Sequence, residues 1–429
     1  MKYLDYLLMN NETKNKIVPK LRFPEFTLAN KWTETILGEV TYPTSQKNRE
    51  GKKYPIYSIN NVEGFLPQSD QFEGIDSHNR GYDISLYKLI QRNTFAYNPA
   101  RINIGSLGYS GELNDIIISS LYVCFKTTDD LDDLFLLYFL KSESFNKSVK
   151  RSIEGGIRSY LFYENFAKIN IQLPSIAEQQ KIADCLSSLD GLITAQNQKL
   201  EALNAHKKGL MQYLFPSEGE ALPKFRFAEF RESSEWVEDI LDNVATFLKG
   251  KGISKSDISP AGILPCIRYG ELYTHYTEII NSVISLTNLP PDQLILSEAN
   301  DVIIPSSGET REDIATASCV MRGGIALGGD LNIIRSEING VFLSYYLTHA
   351  KKSSIAKLAQ GDAVVHLYSS QLKKLKINFP KAKDEQLKIA NCLSFLGELV
   401  KAQAEKIEAL KIHKKGLMQG LFPVTDKSN

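Results

Sequence analysis

The stretch EQQKIADCLSSLDGLITAQNQKLEALNAHKKGLMQYLFP, Glu178 to Pro216, returns as EQLKIANCLSFLGELVKAQAEKIEALKIHKKGLMQGLFP, Glu385 to Pro423. Without gaps 26 of the 39 positions are identical, which chance does not produce, so the chain carries an internal duplication. In the first copy Ile182, Leu186, Leu189, Ile193, Leu200, Leu203, Leu210 and Leu214 follow alternating steps of four and three. The second copy repeats them as Ile389, Leu393, Leu396, Val400, Ile407, Leu410, Leu417 and Leu421. That spacing draws one apolar stripe along a helix, the seam of a coiled coil. Each helix is predicted to stop before Phe-Pro, because proline neither donates a backbone hydrogen bond nor continues the helix. A helix of about 36 residues spans roughly 54 Å. Two seam positions are polar in both copies, Gln196 with Gln403 and Lys207 with Lys414. Antiparallel pairing sets Gln196 against Gln403 with almost the whole seam overlapped. Parallel pairing matches them too, but both connections must then travel back along the rod. Antiparallel is favoured. The polar residues either set register there or lie at the seam's edge and reach out to water.

Outward from this repeat, a second one opens each copy. Pro19-Lys20-Leu21-Arg22-Phe23-Pro24-Glu25-Phe26 matches Pro223-Lys224-Phe225-Arg226-Phe227-Ala228-Glu229-Phe230, and the only tryptophans, Trp32 and Trp236, keep the same offset. The chain therefore reads as two copies of one unit of about 205 residues. Its segments are 1–30, an N-terminal segment with the opening motif; 31–172, a variable domain; 173–216, a helical spacer; and 217–234, a linker with the second opening motif. Then follow 235–378, a second variable domain; 379–423, a second spacer; and 424–429, a tail. The variable domains mix short β-rich runs (Asp115–Ile118, Leu121–Phe125, Asp301–Ile304, Asn332–Ile334) with Gly, Asn and Ser turns. One helix sits late in each, at Leu134–Leu140 and Phe342–Leu347. The predicted fold is α+β: two globular domains separated by two long helices in an antiparallel coiled coil, with an internal pseudo-two-fold repeat.

Fifty basic side chains balance fifty acidic ones, which excludes binding through bulk charge but not a local basic groove. Five cysteines (Cys124, Cys185, Cys266, Cys319, Cys392) lie far apart with no Cys-x-x-Cys, so reduced thiols and a cytoplasmic setting are expected. Met1 to Asn10 carries Asp5 inside its apolar run and no small-residue cleavage site, a poor signal peptide. No run is long and apolar enough for a membrane span.

Catalytic motifs are missing. Gly250-Lys251-Gly252 lacks the spacing and hydroxyl of a phosphate-cradling loop. Neither Asn98-Pro99-Ala100 nor Leu289-Pro290-Pro291-Asp292 fits the loop with which an amino-methylating enzyme grips a flipped base. His206 and His413 read as solvated helix positions, and Cys185 and Cys392 as small hydrophobes beside the seam.

Two variable domains alternating with two near-identical helical repeats resemble the specificity (S) subunit of Type I restriction–modification enzymes. Each repeat opens on Pro-x-x-x-Glu-Gln-x-x-Ile-Ala, here Pro174 to Ala183 and, one residue longer, Pro380 to Ala390. The Leu21–Phe26 motif followed by Trp32 and Leu37-Gly38-Glu39-Val40 is similar to the same family. The resemblance implies a non-catalytic subunit in which each variable region is a target recognition domain for double-stranded DNA. It implies that the helices separate these domains and dock two methyltransferase subunits, with motor–nuclease subunits joining that core. Adenine-N6 methylation from S-adenosylmethionine, and cleavage with ATP and magnesium, would belong to those partners, with no cofactor in this chain. A repeat in opposite senses suits a bipartite target with a fixed gap, and a rod of roughly 54 Å can rule against a DNA turn of about 34 Å.

Base edges are read by Arg, Lys, Asn and Gln, and phosphates by basic and hydroxyl groups. In the first domain the candidates are Gln46, Lys47, Asn48, Arg49, Lys52 and Lys53 in one loop, Asn98, Arg101 and Asn103 in a turn, and Arg151 and Arg158 near the return to the helix. In the second they are Lys249, Lys251 and Lys255 in a Gly-containing loop, then Arg268, Ser306, Ser307, Arg311 and His366. Glycines 250 and 252 are expected to let backbone approach phosphate. From another class, a coiled-coil spacer presenting two protein- or glycan-binding domains has the same outline.

Overall fold

The computed structural model of the chain describes residues 18–152, 160–361 and 364–423. The chain divides into two compact units, Met1–Ala195 with Ile407–Asn429, and Gln196–Lys406. Each unit thus takes one globular domain, the start of one long helix and the end of the other.

In the first unit, one antiparallel sheet runs in the order Thr41–Thr44, Val123–Thr127, Phe95–Tyr97, Leu107–Tyr109. A second runs Gly64–Pro67, Ile56–Asn60, Ile116–Ile118, Lys88–Ile90, with a parallel pair at its centre. Thr33–Ile36 pairs antiparallel with Asn170–Leu173, so the strand entering the domain lies against the strand leaving it. The second unit repeats this order with Ala245–Lys249, Leu331–Ser336, Asp301–Pro305 and Ser318–Val320, and adds Ile279–Ile280 as a parallel fifth strand. Its other sheet is Ser285–Thr287, Leu264–Ile267, Ala326–Leu327, Ile295–Leu296, again with a parallel pair inside. Val237–Ile240 and Lys376–Phe379 close the domain as in the first copy.

Late in each domain there are two helical stretches rather than one. Asp133–Leu140 is followed by Glu143–Ser152, and Gly340–Tyr345 runs through a π-helical turn, Tyr346–Ala350, into Lys352–Leu358. The second helix is hard to see in sequence because it is mostly polar. Only Phe145 and Val149, four residues apart, are buried in Glu143–Ser152, and only Ile355 in Lys352–Leu358.

The long helices run from Ile176 to Leu214 and from Lys383 to Leu421, 39 residues each, and stop ahead of Phe-Pro. Both feed the domain cores. Trp32, Phe95, Phe125 and Phe135 pack with Ile182 and Leu186 and with Leu421 and Phe422. In the second unit Trp236, Ile304 and Phe342 pack with Met211, Leu214 and Phe215 and with Ile389 and Leu393. Ile182, Leu186, Ile389, Leu393, Leu396 and Ile407 are buried; Leu189, Ile193, Leu200, Leu203, Val400 and Leu410 are half-buried. In the second unit the Gln403 side-chain amide donates to the Gln196 carbonyl and side-chain oxygens at 2.9 and 3.0 Å.

The repeated motifs find their explanation here. Arg22 clasps Glu178 through two N–H groups at 2.8 and 2.7 Å, and the Trp32 indole N–H donates to the same carboxylate at 3.2 Å. Arg226, Glu385 and Trp236 repeat the arrangement at 2.6, 2.7 and 3.2 Å. Both carboxylates are buried, where a charge persists only if paired and hydrogen-bonded. The neighbouring glutamines act as braces. Gln179 donates to the Asp130 and Pro174 carbonyls and accepts from the Asp132 N–H, while Gln386 donates to Pro380 and accepts from Asn339. Asp132 and Asn339 are the N-caps of the late helices, so one glutamine joins long helix to domain in each copy.

Candidate nucleic-acid interface

The first basic loop joins Thr41–Thr44 to Ile56–Asn60, from one sheet to the other. Gln46, Lys47, Arg49, Lys52 and Lys53 are exposed along it. Asn48 is the exception and corrects the sequence reading. It is buried, donates to the Lys52 and Ile84 carbonyls at 2.8 and 3.4 Å, and accepts from the Lys52 N–H at 3.1 Å. Its amide holds the loop's shape and is not available to a base. Lys52 pairs with exposed Glu50 at 2.6 Å, a contact water weakens.

The second candidate follows Phe95–Tyr97. The Asn98 side-chain oxygen accepts from the Ala100 N–H at 3.0 Å, a local turn, and the chain then coils through Ile102–Ile104 to Gly105, whose φ of 91° suits glycine. Arg101 and Asn103 stand exposed on this turn. Beneath it the Tyr97 hydroxyl is buried without a hydrogen-bond partner among the described residues, and burial, with the nearby Glu164 charge, pushes its pKa up. Glu143–Ser152, which ends beside exposed Arg151, packs against the Ile102–Ile104 turn. The Leu161 N–H donates to the Pro99 carbonyl at 3.0 Å, which brings the returning chain alongside. Arg101, Asn103 and Arg151 therefore lie on elements that meet. Arg158 lies outside the described residues.

The second domain places its candidates on equivalent connections. Lys249, Lys251 and Lys255 are exposed on the loop from Ala245–Lys249 to Leu264–Ile267. Its first glycine serves packing rather than an incoming phosphate: a Cβ on Gly250 would lie 1.9 Å from the Gly328 carbonyl oxygen. Gly252 and Ile253 both adopt positive φ, 63° and 61°. Arg268 is half-buried, its Nε donating at 3.2 Å to Glu271, a buried carboxylate that also accepts from Ser285 at 2.7 Å. Part of this guanidinium is thus engaged inside the domain. Ser306 is buried, and its hydroxyl has no partner among the described residues. Ser307 pairs with His366 across a short antiparallel bridge, Oγ to Nδ1 3.2 Å. Arg311 is exposed at the start of Arg311–Ile314 and lines one surface cavity with Lys352 and Lys357.

Some residues here were missed in sequence. Tyr160 and Phe162 stack at 5.7 Å between centroids, and in the equivalent place Tyr368 stacks at 6.2 Å on His366, already a candidate. Phe162 and Tyr368 are each about half exposed beside the candidate turns. An aromatic pair two residues apart, recurring at an offset of 206, was the available signal. Lys352 and Lys357 carry no signal in sequence, because the helix that presents them buries only Ile355. Among the described residues no cluster of His, Cys, Asp or Glu could hold a metal ion, and no helix is long and apolar enough to cross a membrane. All five cysteines are free thiols; Cys124, Cys266 and Cys319 are buried, and Cys185 and Cys392 are half-buried.

The family model of the Type I restriction modification DNA specificity domain matches twice, at residues 31–205 and 233–411. The chain belongs to that family. It is a specificity subunit, a non-catalytic DNA-recognition component. It is 25% identical over 398 residues to the putative Type I restriction enzyme MjaX specificity subunit of Methanocaldococcus jannaschii, covering 88% of each chain. Over 317 residues it is 28% identical to the MjaVIII specificity subunit of the same organism, covering 68% of this chain and 70% of that one. In fold it is similar to the crystal structure of the S subunit of a Type I system from M. genitalium, with TM-score 0.58, 16% identity, and 95% and 99% of the two chains covered.

Proposed function

We infer that this specificity subunit reads a bipartite, gapped target in double-stranded DNA, one half-site per globular domain. One observation carries the reading. The two domains share the strand order and pairing of their main sheets, to which the second adds Ile279–Ile280 and the short pair Ser307–Gly308 with Val365–His366, yet they present different side chains on equivalent connections. Arg101 and Asn103 on the first domain's turn correspond to the connection that carries Ser307 and Arg311 in the second, and Tyr160 corresponds to His366, so the half-sites differ. Exposed Gln46, Lys47, Arg49, Lys52 and Lys53, and Lys249, Lys251 and Lys255, hold phosphates and add base contacts. Phe162 and Tyr368 supply apolar contact beside them.

The long helices act as an antiparallel coiled-coil spacer that relates the domains by a pseudo-two-fold axis and sets the gap. Contacts inside the second unit support this: Gln196 meets Gln403, and further along the first helix Lys207 approaches Gly397, earlier in the second. At 1.5 Å per residue each helix is about 58 Å long. The outer faces of the helices dock two methyltransferase subunits for adenine-N6 methylation, and motor–nuclease subunits join for cleavage. S-adenosylmethionine, ATP and magnesium bind those partners.

The test is single-molecule sequencing of adenine methylation in a methylation-free host expressing this chain with its methyltransferase partner. A gapped bipartite motif that vanishes without this chain is the expected result. With both proteins expressed, absent methylation, or methylation unchanged when this chain is omitted, overturns the reading.

A further inference from the structure

The two seam lysines look alike in sequence but are held differently. In the first unit Lys414 forms an ion pair with Asp190, its ammonium lying 5.1 Å from the centroid of the Tyr138 ring. The Tyr138 hydroxyl donates to the same carboxylate at 2.8 Å. In the second unit Lys207 lies 5.0 Å from the centroid of Tyr345, the residue equivalent to Tyr138. The position equivalent to Asp190 is Gly397, so no helix carboxylate is present there. Glu278, from the globular domain, takes its place: both its oxygens lie 3.3 Å from Lys207 Nζ, and one lies 2.6 Å from His349 Nε2. Both lysines are largely buried, with side chains 16% and 19% exposed. An ammonium so placed needs its anion nearby.

We propose that Lys207 and Lys414 are positioning residues that clamp each recognition domain onto the spacer through a tyrosine face and one carboxylate, and that in the second unit this carboxylate has moved from the helix to the domain as Glu278. Gly397 faces the same two groups closely, so a side chain there needs the Tyr345 ring to give by a few tenths of an ångström. A Cβ there would stand 3.2 Å from the Tyr345 hydroxyl and 3.8 Å from Lys207 Nζ, within reach of the two groups that Asp190 engages in the first unit. The clamp has its own geometry; only its effect on the gap rests on the reading of the helices as a spacer.

A rescue experiment on the full chain tests it. Glu278→Gln removes the charge and keeps the shape. It is expected to accelerate amide hydrogen exchange across Gly340–Leu358 by about tenfold or more. Gly397→Asp added to that variant is expected to restore most of the protection by returning the carboxylate to the helix. The same Gly397→Asp in the otherwise unchanged chain is expected to accelerate exchange, because two carboxylates then crowd one ammonium. Lys207→Met should abolish the rescue. Equal effects of Gly397→Asp in both backgrounds, or unaltered exchange in Glu278→Gln, would overturn the clamp. Should Glu278→Gln not fold, recovery of a folded chain by Gly397→Asp decides the matter, and failure to recover counts against the proposal. With the methyltransferase partner, Glu278→Gln is expected to relax the gap length while keeping both half-sites. An unchanged gap in a variant with accelerated exchange would overturn the positioning role. If the unaltered chain directs no bipartite methylation, the functional reading fails while the exchange result stands by itself.

Discussion

Arg101 and Arg226 show how differently two arginines can serve one chain. Arg101 is exposed on a turn, and Arg101→Ala is expected to leave stability within about 0.5 kcal/mol while weakening or relaxing one half-site only. Motif sequencing checks this; an equal effect on both halves would contradict the two-reader scheme. Arg226 is largely buried against Glu385, and Arg226→Ala strands that carboxylate. A loss of about 3–5 kcal/mol in denaturant unfolding is expected. Glu278 adds a pH signature. Burial alone would push its carboxyl up, but the His349 hydrogen bond and the Lys207 and His349 charges hold it at about 2, against 4.5 ordinarily. A depressed carboxylate contributes its stability above the unfolded pKa and loses it as pH falls through the folded one. Some 3 kcal/mol, to order of magnitude, should therefore drain away between about pH 5 and pH 2. Unfolding followed across that range should show a shallower decline in Glu278→Gln, where only the other carboxylates titrate.

Among the elements, the long helices were the most legible in sequence, because a heptad sustained over about nine turns leaves little room for another reading. The late second helices were not, since two apolar residues in ten residues draw no stripe. Nor were strands of two residues such as Ser307–Gly308 and Ala326–Leu327, whose place depends on distant partners. Asn48 misled for a related reason: composition marks a polar loop residue but does not show which way its amide turns. Leu200 or Ile407 changed to a charged residue should loosen the spacer and weaken methyltransferase assembly more than half-site preference. Co-purification yields compared with methylation motifs measure both. One heptad inserted into each helix beside Gln196 and Gln403 should widen the gap by about 10 Å, roughly three base pairs, and leave the half-sites alone.

For the whole molecule, the duplication announced two copies but not how they close. The N-terminal domain draws part of its core from the far end of the chain, where Phe422 packs 5.3 Å from Phe135 and 6.3 Å from Phe139. The Leu21 N–H also donates to the Gly420 carbonyl at 2.9 Å. Position 420 is glycine in this copy, whereas its equivalent is Tyr213, because Leu21 fills the space a side chain would need. Removing residues beyond Ile412 should therefore expose the first domain's core to proteolysis while the second domain stays resistant.

The unequal placement of the clamp carboxylates bears on how such a chain can be inherited piecemeal. A foreign domain grafted into the first position meets a joint whose acid and base both lie in the spacer repeats, and must bring only an aromatic ring. A foreign domain in the second position must also bring an acid where Glu278 stands, or await a carboxylate at Gly397. Successful grafts should accordingly be more frequent in the amino-terminal half, and new first half-sites should arise faster than new second ones.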